Sequence, residues 1–149
     1  MEVVKNMFYG SKELTIDDKG RLLLSSLFRD GFPGGTCFAC YGMDNCIELY
    51  PETTYQERAS QITKLNDFDE VARRVKRTFL SNTFMITIDS HSRILLPKPL
   101  LDKTLISKNV TIIGMYDHLE LWDSDKYNKI QQENQDNYAS DAKKLIGGS

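Results

Sequence analysis

Apolar and polar positions alternate in short stretches along the chain, and twice the alternation gives way to helical spacing. Residues 13–17 and 85–89 read as strands running into tight turns. The runs that follow, 22–24 and 94–96, are continuously apolar, which predicts strands buried on both faces. Ser25-Ser26 and Pro97-Lys98-Pro99 punctuate these runs and lead into short helical turns. Thr36–Tyr41 and residues 110–113 are third strands, followed by glycine turns at Gly42 and Gly114. A fourth strand puts Ile47 and Leu49 on one face and Glu48 on the other, and Leu119, Glu120 and Leu121 repeat that pattern.

Helices are predicted after each set of strands. Pro51 suits a first helical position, and Tyr55, Ala59 and Ile62 share one face. Asp67, with Glu70 three residues on, predicts a capping-box start for a second helix that buries Val71, Val75 and Phe79. Asp123 can cap a third, which carries Tyr127 and Ile130. From Gln131 the chain turns polar and is expected to fray, and Gly147-Gly148-Ser149 reads as a tail outside the fold.

These elements occur twice. Thr15-Ile16-Asp17-Asp18-Lys19-Gly20-Arg21-Leu22-Leu23-Leu24 aligns with Thr87-Ile88-Asp89-Ser90-His91-Ser92-Arg93-Ile94-Leu95-Leu96, and the offset stays constant beyond that stretch. Without a gap, Gly42-Met43 then meets Gly114-Met115, and Ile47-Glu48-Leu49-Tyr50 meets Leu119-Glu120-Leu121-Trp122. Two copies are too few for a solenoid, which needs about three repeats for stability. The expected architecture is therefore α+β, with two half-modules packed about a pseudo-twofold axis and sharing one core.

Composition narrows the function classes. The 149 residues are 40% hydrophobic and 27% charged, which fits a globular domain and excludes global disorder. No apolar run approaches the roughly 18 to 20 residues that cross a bilayer, and the first six residues lack a signal-peptide core. Three cysteines are too few for a disulfide scaffold and suit a reducing cytoplasm. The net charge of −2 gives no global field to attract polyanions. Residues 1–116 carry 15 Lys and Arg against 14 Asp and Glu, whereas 117–149 carry 4 against 7. Any nucleic-acid contact is thus expected from a local patch away from the acidic end.

That patch is expected at the turn Asp17-Asp18-Lys19-Gly20-Arg21. An aspartate at its start can accept hydrogen bonds from turn amides, and Gly20 tolerates positive φ. In one copy the arginine could merely pair with Asp17 on the surface. The second copy keeps Asp89 and Arg93 at the same separation while Lys19 becomes His91 and Gly20 becomes Ser92. Two arginines on equivalent turns make a basic fork, and arginine suits bidentate contact with O6 and N7 of guanine. Ser92 at a glycine position costs on the order of 1 kcal/mol, which predicts a reshaped or weaker second turn.

The Asp-x-x-Gly-Arg pattern, preceded by Met7-Phe8-Tyr9-Gly10 and repeated in the second half of the chain, resembles the MraZ family. Glu48-Leu49-Tyr50-Pro51, Ala72-Arg73-Arg74-Val75-Lys76-Arg77 and Leu119-Glu120-Leu121-Trp122-Asp123 add to the likeness, which spans about residues 7–130. Met7 aligns with the usual family start, and Ser25 stands where the family has a proline that Pro97 keeps. The resemblance implies two AbrB-like (swapped-hairpin, double-split β-barrel) modules at 11–57 and 83–130. Connecting helices would occupy 58–82 and a polar tail 131–149. It further implies a ring-shaped homo-oligomer that is nucleoid-associated and binds double-stranded promoter DNA at short G-containing direct repeats upstream of the division and cell-wall gene cluster. In that reading Arg21 and Arg93 touch bases, Lys19 supports at phosphate, and Asp17, Gly20 and Asp89 shape the loops. One or two arginines discriminate by only about 1–3 kcal/mol each, so several modules must engage spaced repeats together.

Other chemistry is weaker. Cys37-Phe38-Ala39-Cys40 has metal-ligand spacing, but residues three apart on a strand face opposite ways, and Cys46 aligns with His118 rather than a cysteine. The cysteines are read as buried hydrophobes, with no metal or other cofactor expected. Asp89-Ser90-His91 contains triad residue types, but neighbours on one turn cannot align as nucleophile, base and orienter, so no enzyme is expected. Arg73, Arg74, Lys76 and Arg77 could reach phosphates or be a solvated face paired with Asp67, Asp69 and Glu70, the second being favoured. A rival function uses the acidic end: antitoxins of the same superfamily capture a toxin through their C-terminal tails.

Overall fold

Strand-forming alternation needs partners, and the repeat supplies them crosswise. The computed structural model describes residues 7–147. The six-residue N-terminal extension and the last two tail residues lie outside that range. Module one contributes β1 (Ser11–Thr15), β2 (Arg21–Leu23), α1 (Ser26–Arg29), β3 (Thr36–Tyr41) and β4 (Ile47–Tyr50). Helices α2 (Glu52–Thr63) and α3 (Glu70–Ser81) lead to β5 (Phe84–Thr87), β6 (Arg93–Leu95), α4 (Lys98–Thr104), β7 (Asn109–Gly114) and β8 (Leu119–Asp123). The chain continues through α5 (Ser124–Gln135) and α6 (Tyr138–Ala142). No helix among the described residues is long and apolar enough to cross a membrane.

One antiparallel sheet runs β1-β7-β8-β4-β3-β5, and a separate ribbon joins β2 to β6. Reversing the sheet order exchanges the two modules, so a pseudo-twofold axis passes between β8 and β4, where Glu48 lies opposite Glu120. The first strand of each module pairs in the other: β1 with β7, and β5 with β3. The amide of Leu24 donates to the carbonyl of Ser92 at 2.8 Å, and that of Leu96 donates to Gly20 at 2.9 Å. Neither module could bury its apolar face alone, and the exchange gives them a common core.

That core lies between the sheet and the ribbon. Leu22 and Ile94 point inward from the ribbon onto Ile47, Leu49, Leu119 and Leu121, all fully buried. Each such side chain contributes about 1.5–3 kcal/mol by leaving water. A second cluster fills the opposite face, where Tyr55 and Ile62 of α2 and Phe79 of α3 cover Cys40 and Tyr50. Phe38 stacks on Tyr55 with ring centroids 4.3 Å apart. The N-terminal end is held by Phe8, which is buried and exchanges backbone hydrogen bonds with Tyr116 at 2.8 and 2.7 Å.

Four expectations need correction. The strands at 22–24 and 94–96 are not buried on both faces: Leu23 is 55% and Leu95 57% exposed. A two-stranded ribbon has one face on the core and nothing packed on the other. The cap of α3 is Asp69, whose carboxylate accepts from the amides of Val71 (2.8 Å) and Ala72 (3.4 Å), whereas Asp67 pairs with Lys76. The buried stripe of α3 is accordingly Ala72 and Phe79, with Val71 exposed. Pro51 is the N-cap of α2, one residue before its first turn. Finally, α5 does not end at Gln131, because the helix-favouring Gln131, Gln132, Glu133 and Gln135 continue it without tertiary packing.

Candidate nucleic-acid interface

Each Asp-x-x-x-Arg turn is closed by its own aspartate. Asp17 Oδ1 accepts from the amides of Lys19 (2.9 Å) and Arg21 (2.8 Å), and Oδ2 accepts from Arg21 Nε at 2.7 Å. Asp89 repeats this with the amides of His91 (2.8 Å) and Arg93 (2.9 Å) and with Arg93 Nε at 2.9 Å. Two backbone bonds complete each turn: Gly20 N to Asp17 O and Ser92 N to Asp89 O, both 3.0 Å, and Asp17 N to Arg21 O (3.0 Å) and Asp89 N to Arg93 O (2.9 Å). The amides of Arg21 and Arg93 are the chief cause holding the two carboxyls below the ordinary aspartate value. The guanidinium ions and the amides of Lys19 and His91 act in the same sense.

Ser92 does not reshape the second turn. It adopts φ +64°, the left-handed region that Gly20 occupies at +85°. The hydrogen bonds of the turn overcome the steric cost of its Cβ.

The pairing of each arginine with its aspartate, weighed as an alternative from the sequence, is thus present in both copies. It engages only Nε. Among the described residues neither Nη1 nor Nη2 of Arg21 or Arg93 has a hydrogen bond, and the side chains stay 32% and 33% exposed. In the ribbon Arg21 lies opposite Leu95 and Leu23 opposite Arg93. Since Leu22 and Ile94 face the core, these four side chains share the outward face. The two arginines stand at diagonal corners of that face, about 7 Å apart. Lys19 lies exposed on the first turn and forms no ion pair among the described residues.

The remaining candidates behave differently. Ser90 Oγ and His91 Nδ1 are 3.4 Å apart on the surface, while the Asp89 carboxylate is engaged by the turn. In the α3 basic cluster, Arg74 pairs with Glu70 on the same helix at 3.3 Å, and Lys76 pairs with Asp67 just before the helix. Arg73 Nη1 donates to the Asp67 carbonyl at 2.8 Å, and Arg77 forms no ion pair among the described residues. All three cysteines are free and buried. Cys37 belongs to the ribbon-side core and Cys40 to the helix-side cluster, so the pair diverges as strand geometry requires. Burial pushes both thiols up to about 12. Cys46, by contrast, lies with the carboxylates of Glu48 and Glu120, all ligand atoms within 4.8 Å. The Cys37–Cys40 spacing does not point to this grouping. Its signal was the i, i+2 spacing of Cys46 and Glu48, together with the repeat that sets Glu120 opposite Glu48.

Comparison with known proteins agrees with the repeat. A family model described as "MraZ protein, putative antitoxin-like" matches twice, over residues 7–78 and 79–147. A protein of Mesoplasma florum named Transcriptional regulator MraZ is 32% identical over 142 residues, covering 95% of this chain and 97% of its own. Proteins of the same name from Cytophaga hutchinsonii (30% over 142 residues; 93% and 94% covered) and Ureaplasma urealyticum serovar 10 (33% over 141; 94% and 97%) are similar. With two tandem matches spanning the described residues and relatives aligned over nearly their whole length, the chain belongs to the MraZ family.

Proposed function

We propose that this protein is a sequence-specific DNA-binding transcriptional regulator that reads its operator through the β2–β6 ribbon. The observation that carries the reading is the state of Arg21 and Arg93. Each is fixed at Nε by an aspartate and offers both Nη groups on one outward face. Fixing one edge of a guanidinium removes rotamer freedom before binding and leaves a fork aimed at guanine O6 and N7. A two-stranded ribbon is narrow enough to enter the major groove, with Leu23 and Leu95 available to thymine methyl groups. Lys19 supports at phosphate, and Asp17, Gly20 and Asp89 hold the loops in shape. The family relatives, named transcriptional regulators, support the same class.

The finer parts of the reading follow the resemblance. The exchanged first strands support a reading as a swapped-hairpin, double-split β-barrel of AbrB type, with modules at 11–57 and 83–130, linking helices at 58–82 and a polar tail at 131–149. A ring-shaped homo-oligomer in the cytoplasm, associated with the nucleoid, binds short G-containing direct repeats upstream of the division and cell-wall genes. Fluorescence anisotropy against the DNA upstream of its own gene tests this with the Arg21→Ala, Arg93→Ala double variant. Binding should weaken at least tenfold, since each good bidentate contact contributes about 1–3 kcal/mol. Unchanged affinity would remove the base-reading role.

A second reading is favoured by the antitoxin-like description of the family model and by Tyr138, Leu145 and Ile146, which stand exposed near the C-terminal end. Deleting residues 137–149 should leave DNA affinity intact under the first reading and abolish toxin capture under the second.

A further inference from the structure

We propose that Cys46, Glu48 and Glu120 form a binding site for a divalent transition-metal ion of the zinc class, set on the seam between the two modules. Glu48 and Glu120 are cross-strand partners at the centre of the β4–β8 pairing. Like charges placed directly opposite each other destabilise a sheet, and burial increases the cost. Glu48 is only 7% exposed, yet among the described residues neither carboxylate has a Lys, Arg or His partner. Each is held by one neutral donor, Tyr50 Oη at 2.7 Å and Trp122 Nε1 at 2.9 Å, and in both cases only Oε1 is engaged. Such contacts orient a carboxylate without supplying a cation, which matters most for the buried Glu48.

The third member points to the compensating species. The Cys46 side chain is fully buried, forms no hydrogen bond among the described residues, and places Sγ within 4.8 Å of ligand oxygens of both glutamates. A proton shared between carboxylates would make no use of a thiol. A borderline-soft dication would, because one sulfur and two oxygens fill three of four tetrahedral positions and leave one for water. Ligand atoms around zinc sit about 3.5 Å apart, so the three side chains need to close by about 1 Å. On binding, Cys46 gives its proton to solvent, and the thiolate, two carboxylates and dication leave one net negative charge. Glu120, the half-buried member, also lines a surface groove with Met43, Asp44, Asn45, Trp122 and Tyr127. An ion there would tie β4 of one module to β8 of the other.

Cobalt(II) titration of the full-length, chelator-treated protein tests this directly. One ion per chain should bind with a thiolate-to-cobalt charge-transfer band, displaceable by zinc. The band should vanish in Cys46→Ser and persist in Cys37→Ala and Cys40→Ala. Glu48→Gln and Glu120→Gln, which keep side-chain volume and the Tyr50 and Trp122 contacts, should each weaken binding at least about tenfold. Zinc should raise the melting temperature of the wild type and leave that of Cys46→Ser unchanged. Absence of stoichiometric binding, or a band that survives Cys46→Ser, overturns the site. Should Cys46→Ser fail to fold, wild-type affinity in both glutamine variants overturns it equally.

Discussion

Gly20 and Ser92 hold the same left-handed backbone, φ +85° and +64°, at equivalent places in the two turns. The hydrogen bonds around them match, the Asp–Arg Nε bond being 2.7 Å in the first turn and 2.9 Å in the second. A residue with no steric cost and one that bears it therefore support one geometry. Exchanging them should have opposite effects. Ser92→Gly should stabilise the fold by up to about 1 kcal/mol, and Gly20→Ser should cost about as much. Urea unfolding midpoints measure both, and equal midpoints for the two variants would contradict the strain argument.

The aspartates that close these turns predict a pH dependence. Asp17 and Asp89 are held below the ordinary value of 3.8, chiefly by the amides of Arg21 and Arg93. A carboxyl depressed in the folded state adds stability that is present above its unfolded value and is lost as pH falls through the folded one. The turns should thus be intact at neutral pH and loosen only below 3.8. Amide NMR shifts of Lys19, Arg21, His91 and Arg93 should report apparent pKa values under 3.8, and midpoints above it would exclude the bonding described.

Lys19 and the two arginines should separate in their salt response. Lys19→Ala should lower affinity for all sequences alike and reduce the slope of log K against log salt by about 0.9 per lost phosphate contact. Arg21→Ala or Arg93→Ala should instead narrow the gap between operator and random DNA, by about 1–3 kcal/mol per lost base contact. A uniform loss in the arginine variants would reassign them to phosphate.

Gly114 is required where the N-terminal segment crosses β7. A Cβ there would overlap the amide nitrogen of Tyr9 and the carbonyl carbon of Phe8, both of them backbone atoms. Gly114→Ala should therefore break the Phe8–Tyr116 bridge and expose Phe8. Its cost should approach the roughly 3–5 kcal/mol of removing a buried phenylalanine from the core, as Phe8→Ala would. Thermal unfolding of both variants checks this. A Gly114→Ala change of no more than about 0.5 kcal/mol, the ordinary range for a neutral surface substitution, would refute it.

Oligomeric reading of an operator predicts dependence on repeat phase. Two repeats spaced by a whole helical turn of about 10 bp should bind far more tightly than one, and inserting about 5 bp should remove the gain. Equal affinity for a single repeat and the array would rule out collective recognition.

Much of this was legible in the residues themselves. The constant offset between the copies, the Asp–Arg turns, the strand Thr36–Tyr41 and the Asp123 cap all rest on short-range patterns that the local sequence specifies. Tertiary structure decided which copy each strand joined. The two modules offer nearly equivalent edges, so nothing local distinguishes β1 on β3 from β1 on β7, and only the shared core does. It also decided which leucines of an apolar run met that core, leaving Leu23 and Leu95 outside, and it moved the α3 cap from Asp67 to Asp69. It alone brought Cys46, Glu48 and Glu120 together, because side chains far apart in sequence converge only once strand register is set.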